Sequence, residues 1–259
     1  MAPAWPWTGP VCWDARVVEA PVLSVDVPRR HGSQSRLLLL LHGYGEPVAD
    51  LADRIDLIDP DGRFLAVYPE APFERSGRQI WHRAMTAPEE AEVQFLTSMA
   101  ALDRCLADLE QRFGLPASDA ILGGFSQGGG VALGMLLGAD VEHRPAAAFG
   151  VCSFAPVVQG FRVDRAAIAG RPYFLSSARR DRFAAIEQSR AGAALIQDAG
   201  IDLTYVESDG EHEMTDEAAR QINRWLVDVE AGVPAAPSPL LEGAGADASA
   251  WSRTWTFVG

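Results

Sequence analysis

Short apolar runs recur along the chain from residue 37 onward. They are "LLLLL" at 37–41, "FLAVY" at 64–68, "AILGGF" at 120–125, "AAAFGVCS" at 146–153, "PYFLSS" at 172–177 and "IDLTYV" at 201–206. Each has the length of a strand buried on both faces. The segments between them are long enough for helices. Leu102, Leu106, Leu109 and Phe113 form one helical stripe, and Cys105 falls on it as a core residue. Residues 183–200 end in Gly200, suited to a helix C-terminus. Residues 215–230 open on Thr215 and carry Asp216 and Glu217 in the first turn, where acidic groups favour a helix start. Strands alternating with helices predict a mostly parallel, doubly wound sheet with helices on both faces.

The two ends break this pattern. "VCWDARVV" at 11–18 and "PVLSVDVP" at 21–28 are β-like, and in the second Leu23, Val25 and Val27 alternate with Val22, Ser24 and Asp26. They predict antiparallel N-terminal strands at a sheet edge. After Glu230 the composition shifts to "AGVPAAPSPLLEGAGADASA", rich in Ala, Gly and Pro and linker-like. The reading is one α/β domain over 1–230 and a C-terminal extension over 231–259. The closing "WSRTWTFVG" keeps Trp251, Trp255 and Phe257 on odd positions, a strand with one aromatic face. Three exposed aromatics would be a solubility liability. Two readings follow: this end docks, either on the sheet edge near residues 11–28 or on a second copy of the chain in a homodimer, or it is a disordered end with accidental aromatics.

Composition narrows the field. A chain of 259 residues, 48% hydrophobic and 22% charged, is ordinary for a globular protein. A net charge of −13 with no basic cluster argues against nucleic acid and anionic membranes as partners. Five leucines fall far short of a membrane span. The start "MAPAWPWTGPVCWD" lacks the basic and long apolar regions of a secretory leader, so a cytoplasmic location is expected. Cys12, Cys105 and Cys152 lie far apart, and His31, His42, His82, His143 and His212 show no ligand spacing. Neither a disulfide framework nor a metal site is expected, and no cofactor.

Chemistry concentrates in "ILGGFSQGGG" at 121–130. Gly124-Phe125-Ser126-Gln127-Gly128 has the form G-x-S-x-G, between a strand-like run and a helix-like run. A sharp strand-to-helix turn strains the serine backbone and exposes its hydroxyl, and requires small residues two before and two after it. Gly124 and Gly128 satisfy that. The competing reading, a phosphate-cradling loop, wants G-x-x-x-x-G-K-[S/T] or G-x-G-x-x-G, and neither is present.

A serine needs a base. In folds with this elbow the chain order is serine, acid, histidine. Only His143 and His212 follow Ser126. His143 lies in the polar connection "DVEHRP" and reads as solvated. His212, in "SDGEHEM" between a strand and the last helix, is the base. Asp181, which follows a strand in "SSARRDRF", is the best placed acid; helix capping is its bland alternative. Asp164, Asp202, Asp209 and Asp216 compete. Asp202 sits at the wrong end of its strand, Asp209 is suited to bracing the histidine loop, and Asp216 looks like a helix-start residue. An oxyanion hole takes one backbone N–H from the residue after the nucleophile, Gln127, and one from a loop after an early strand. "LLLLLHGYGE" supplies the second at Tyr44. His42 reads as a structural prop for that loop, and Trp81 as either pocket wall or core.

"LLHGYGEPVADL", "VYPEAPF", "GGFSQGG" and "GEHEM", in this order over about residues 37–229, resemble the phospholipase/carboxylesterase family of α/β hydrolases, which includes the acyl-protein thioesterases. The resemblance implies an α/β-hydrolase fold without a lid. It implies a serine hydrolase acting on small-molecule carboxylic esters or acyl thioesters, with Ser126, Asp181 and His212 as triad and the Tyr44 and Gln127 amides as hole. The acid loop departs from the family, which has a pattern like H-G-x-x-D where this chain has "SSARRD". Two alternatives remain: a lactone or diene-lactone hydrolase, which would usually carry a cysteine at position 126, and a non-catalytic ligand-binding scaffold.

Overall fold

The computed structural model describes residues 21–28, 34–83, 88–159, 161–242 and 255–258. Eleven strands are described: β1 Val25–Asp26, β2 Arg36–Leu41, β3 Phe64–Pro69, β4 Phe73–Arg75, β5 Arg78–Ile80, β6 Ile121–Phe125, β7 Ala147–Val151, β8 Phe161–Asp164, β9 Pro172–Ala178, β10 Asp202–Ser208 and β11 Trp255–Val258. The α-helices are α1 Ala49–Ala52, α2 Ile55–Ile58, α3 Pro88–Phe113, α4 Gln127–Leu137, α5 Arg165–Ile168, α6 Ile186–Asp198 and α7 Asp216–Glu230.

Seven strands form the central sheet in the order β1-β3-β2-β6-β7-β9-β10. All neighbouring pairs are parallel except β1 on β3, which is antiparallel at the edge. The expected run at 11–18 lies outside the described residues.

The leucine run shows why the sheet is covered twice. Successive strand side chains point to opposite faces. Leu37, Leu39 and Leu41 enter one core with residues of α3, α4 and α6. Leu38 and Leu40 enter the other, with Ile58 of α2 and Ile222, Trp225 and Leu226 of α7. All five leucines are fully buried, so an uninterrupted apolar run is what this position requires.

Topology locates the site. From β2 the chain crosses outward to β3, then returns past β2 to β6 and continues the other way. The loops after β2 and β6 therefore diverge between two adjacent strands, which opens a crevice at the carboxyl edge of the sheet.

The C-terminal extension is more than a linker. Leu241 and Trp255 are buried in the same core as the α3 and α4 residues. The segment 233–240 runs beside β10: the Ala235 N–H donates to the Asp202 carboxylate at 3.1 Å, and Ser238 Oγ donates to Tyr205 O at 3.4 Å. Among the described residues the aromatic end pairs away from β1. Strand β11 pairs in parallel with β8, Trp255 opposite Phe161 and Val258 opposite Asp164. An alternating pattern gives a strand its faces but not its partner, and β8 offered an open edge elsewhere. Trp251 lies outside the described residues.

Candidate active site

Five loops meet at the carboxyl edge of the sheet. Ser126 directly follows β6, and its backbone lies at φ 49°, ψ −114°. That left-handed conformation is strained for any residue with a Cβ. The close packing around it explains the glycines. A Cβ on Gly124 would stand 2.4 Å from Leu41 O, and one on Gly128 would stand 2.2 Å from the same oxygen. The elbow thus presses against the end of β2.

Ser126 faces the imidazole of His212. Ser126 Oγ lies 2.9 Å from His212 Nε2, across 86 residues of sequence. The other ring nitrogen, Nδ1, lies 2.7 Å from Asp181 Oδ2. Asp181 comes from the loop after β9 and His212 from the loop after β10, and these strands are paired along their length. The Asp181 carboxylate is 1% exposed and the His212 side chain 13% exposed. An anionic carboxylate can only accept, so Nδ1 carries a proton and donates it to Asp181. That leaves Nε2 free to accept from Ser126 Oγ.

Asp181 also has its bland role. Its Oδ1 accepts the Phe183 N–H at 2.7 Å and the Ala184 N–H at 3.0 Å just ahead of α6. One oxygen shapes the loop and the other holds the imidazole. The competing acids are occupied elsewhere. Asp164 caps α5, Asp202 accepts from Ala235, Asp209 bonds Arg179 at 2.7 Å, and Asp216 stands in the first turn of α7 with Thr215 as the cap. His143 is not solvated as expected: it is half-buried, with Nδ1 3.3 Å from Asp103 Oδ1.

The loop after β2 is braced from three sides. His42 is buried, and its Nε2 accepts the Ala71 N–H at 3.1 Å. Its Nδ1–H therefore donates to Gly43 O, 2.8 Å away. Both bonds require a neutral ring, and burial pushes the His42 pKa down accordingly. The Gly43 N–H donates to Glu46 Oε2 at 3.2 Å, and the Gly45 N–H to Gln79 O at 3.0 Å. Burial raises the Glu46 pKa. Between these two amides, the Tyr44 N–H has no acceptor among the described residues, and neither has the Gln127 N–H at the start of α4.

The Gln127 side chain is fixed too. Its Oε1 accepts the Trp81 N–H at 2.9 Å, and its Nε2 donates to His82 O at 2.7 Å. Trp81 is fully buried, and its indole N–H donates to His42 O at 2.9 Å. It is core beneath the site rather than a pocket wall.

Three neighbours escaped the sequence reading. The imidazole of His212 lies between the rings of Phe125 and Phe183, each 4.9 Å away between centroids. Phe183 is 67% exposed and so stands at the mouth of the site. An aromatic in a polar loop, two residues after the acid, was its one available signal. Cys152 follows β7 with φ 49°, and its thiol approaches Glu211 O and Glu213 O at 3.8 and 3.7 Å, on either side of His212. Burial pushes that thiol up to about 12, so it stays protonated. Glu207 on β10 bonds Arg179 Nε at 2.9 Å and Arg190 Nε at 2.7 Å, tying the acid loop to α6. The donor atoms of Cys152, Asp181 and His212 lie within 4.8 Å of one another. Within this trio the acid and the imidazole are bonded to each other, and the thiol is protonated.

The Phospholipase/Carboxylesterase family model matches residues 24–228. A putative hydrolase, MhqD of Bacillus subtilis (strain 168), is 23% identical over 194 residues, covering 75% of this chain and 94% of that protein. Among solved structures, the Bacillus cereus carboxylesterase superposes with a TM-score of 0.70 at 18% identity, covering 80% of this chain and 94% of the other. Esterase PE8 superposes with a TM-score of 0.68 at 25% identity, covering 81% and 100%.

Proposed function

The chain belongs to the phospholipase/carboxylesterase family of α/β hydrolases, and from that premise we propose that it is a serine hydrolase cleaving carboxylic esters or acyl thioesters through Ser126, His212 and Asp181. The observation that carries the reading is His212 bridging Ser126 Oγ and Asp181 Oδ2 with both ring nitrogens. Such a bridge makes a hydroxyl nucleophilic without a metal or cofactor.

The chemistry proceeds in two halves. Ser126 Oγ attacks the substrate carbonyl carbon while His212 Nε2 takes the hydroxyl proton. The carbonyl oxygen becomes an oxyanion, and the free Tyr44 and Gln127 amides are the donors suited to hold it. Asp181 stabilises the imidazolium and stays ionised. Collapse breaks the bond to the leaving oxygen or sulfur, which departs with the proton from His212. Water then attacks the acyl-serine, with His212 again taking a proton, and releases the carboxylic acid and Ser126.

Serine at position 126 favours an esterase over a diene-lactone hydrolase, and paired Ser126, His212 and Asp181 argue against an inert scaffold. A fluorophosphonate probe and p-nitrophenyl esters test the proposal together. Expected are covalent labelling at Ser126 and ester hydrolysis that the label abolishes. A protein that neither labels at Ser126 nor cleaves esters would end this reading. Among the described residues no helix is long and apolar enough to cross a membrane. The substrates sought are small molecules; a cytoplasmic setting is part of the proposal.

A further inference from the structure

The family match ends at residue 228, yet four residues near the end of the chain are built into the fold. Trp255 is 5% exposed, and its indole N–H donates to Pro156 O at 2.9 Å. Pro156 belongs to the segment that leaves β7 beside Ser126. At its start, the Ser126 N–H donates to Val151 O at 2.8 Å, and the Cys152 thiol reaches the carbonyls flanking His212. Farther on, Phe154 O would lie 3.4 Å from a Cβ on Gly130, against the first turn of α4. The segment then descends to β8. Within it, Pro156 has no N–H, and Phe154 is half-buried.

The Trp255 ring has a second line of contact toward the site. Its centroid lies 6.3 Å from Phe161, which lies 6.2 Å from Phe95, edge to face. Phe95 meets the His82 ring at 5.7 Å, and His82 O accepts from the Gln127 side chain. Cation–π contact of Arg165 with Phe257, at 4.1 Å, and the parallel ladder with β8 hold the strand in place.

We propose that Trp255–Val258 is a strap that positions the wall after β7, and that Trp255 thereby sets the size of acyl group accepted beside Ser126. The inference rests on the esterase reading for its substrate. Trp255 touches no reacting atom and is a positioning residue. Its indole bond and ring packing fix the middle of a segment whose upper end stands against the nucleophile elbow. Released from the strap, Phe154 and its neighbours gain room to shift, which changes the fit of the acyl chain more than the triad itself.

The test uses the full chain with Trp255→Ala and Trp255→Phe. The first removes ring and donor; the second keeps a ring and loses only the bond to Pro156 O. Two readouts are taken: hydrogen exchange of the amides of 152–159, and kcat/KM for p-nitrophenyl esters from acetate to decanoate. In Trp255→Ala, exchange in 152–159 should quicken, and the ratio of long-chain to short-chain kcat/KM should change by about fivefold or more, carried by KM. Fluorophosphonate labelling at Ser126 should stay within about threefold of wild type, since the triad is not displaced. Trp255→Phe should move both readouts in the same direction by less, and it decides the matter if the alanine variant does not fold. Unchanged exchange and an unchanged chain-length ratio in a folded variant overturn the strap. A wild-type protein inert to esters and to the probe overturns the esterase reading instead, and the exchange result still decides whether the wall depends on Trp255.

Discussion

Leu41 and Gly128 touch backbone to backbone: a Cβ on Gly128 would meet the Leu41 carbonyl oxygen at 2.2 Å and the His42 carbonyl oxygen at 2.6 Å. Neither obstacle is a flexible side chain. The end of β2 and the first turn of α4 are locked at the distance that puts the Tyr44 loop beside Ser126. Gly128→Ala should therefore destabilise the protein by about 1–3 kcal/mol or more. That lowers Tm by about 2–4 °C for each kcal/mol in a domain of this size. Esterase activity should fall further than stability does, because the elbow is displaced. A thermal melt and an ester assay check this; wild-type values in both would show that the contact yields easily.

Ser126→Ala and His212→Ala should each fold normally and lose at least about 10³-fold in kcat, because the members of a triad act as one unit. Steady-state hydrolysis of p-nitrophenyl butyrate checks it. Near wild-type turnover in the His212 variant would remove that residue from the base role.

Asp181→Asn should cost about 10³–10⁴-fold in kcat, since an amide can donate toward the imidazole and favour the wrong tautomer. Asp209→Asn is the control, because its carboxylate faces Arg179 and is largely exposed. The Asp209 variant should keep activity within about threefold of wild type. Reversed outcomes would move the acid to Asp209.

The fold and the chemistry were legible to different depths. The runs at 37–41, 64–68, 120–125, 146–153, 172–177 and 201–206 each overlap an observed strand, because the central strands, buried on both faces, are dominated by apolar residues, while edge strand β10 keeps a buried alternation of Leu203 and Tyr205. The order serine, acid, histidine along the chain led to residues that the fold brings together. The bracing did not show. Glu207 sits in "TYVESDG" with no local sign that two arginines converge on it, since Arg179 and Arg190 arrive from β9's loop and α6. The partner of β11 was equally hidden, for period-two alternation says which side is apolar and nothing about which edge is open.

Glu46 should matter to catalysis through the Gly43 amide it holds. Glu46→Ala should lower kcat about tenfold by loosening the Tyr44 loop, less than the 10²–10³ that follows outright loss of an oxyanion donor. Glu46→Gln keeps an oxygen acceptor and should stay within about threefold of wild type. Equal loss in both variants would assign the effect to the charge instead of to the hydrogen bond.

Acid should weaken the loop that carries Asp181. The guanidiniums of Arg190 and Arg179 hold the Glu207 carboxyl down at about 2, below the ordinary carboxylate range. A depressed carboxylate contributes stability that is full above its unfolded pKa, about 4.3, and is lost as pH falls through that window toward 2. Glu207→Gln should therefore melt below wild type at pH 6, and the gap should close progressively between pH 4.5 and 2. A gap that does not change on acidification would show that the ion pairs contribute nothing through charge.

Strand order has a consequence for the chain as it is made. Ser126 is in place once β6 is flanked by β2 and β7, all within the first 151 residues. His212 follows the last strand of the sheet along the chain, and Asp181 the strand before that. A growing polypeptide thus carries Ser126 long before it carries His212, the base of the proposed mechanism. The proposed mechanism then requires newly made protein to stay chemically silent until β9 and β10 have joined the sheet, so that recovery of turnover would mark the completion of folding rather than its onset.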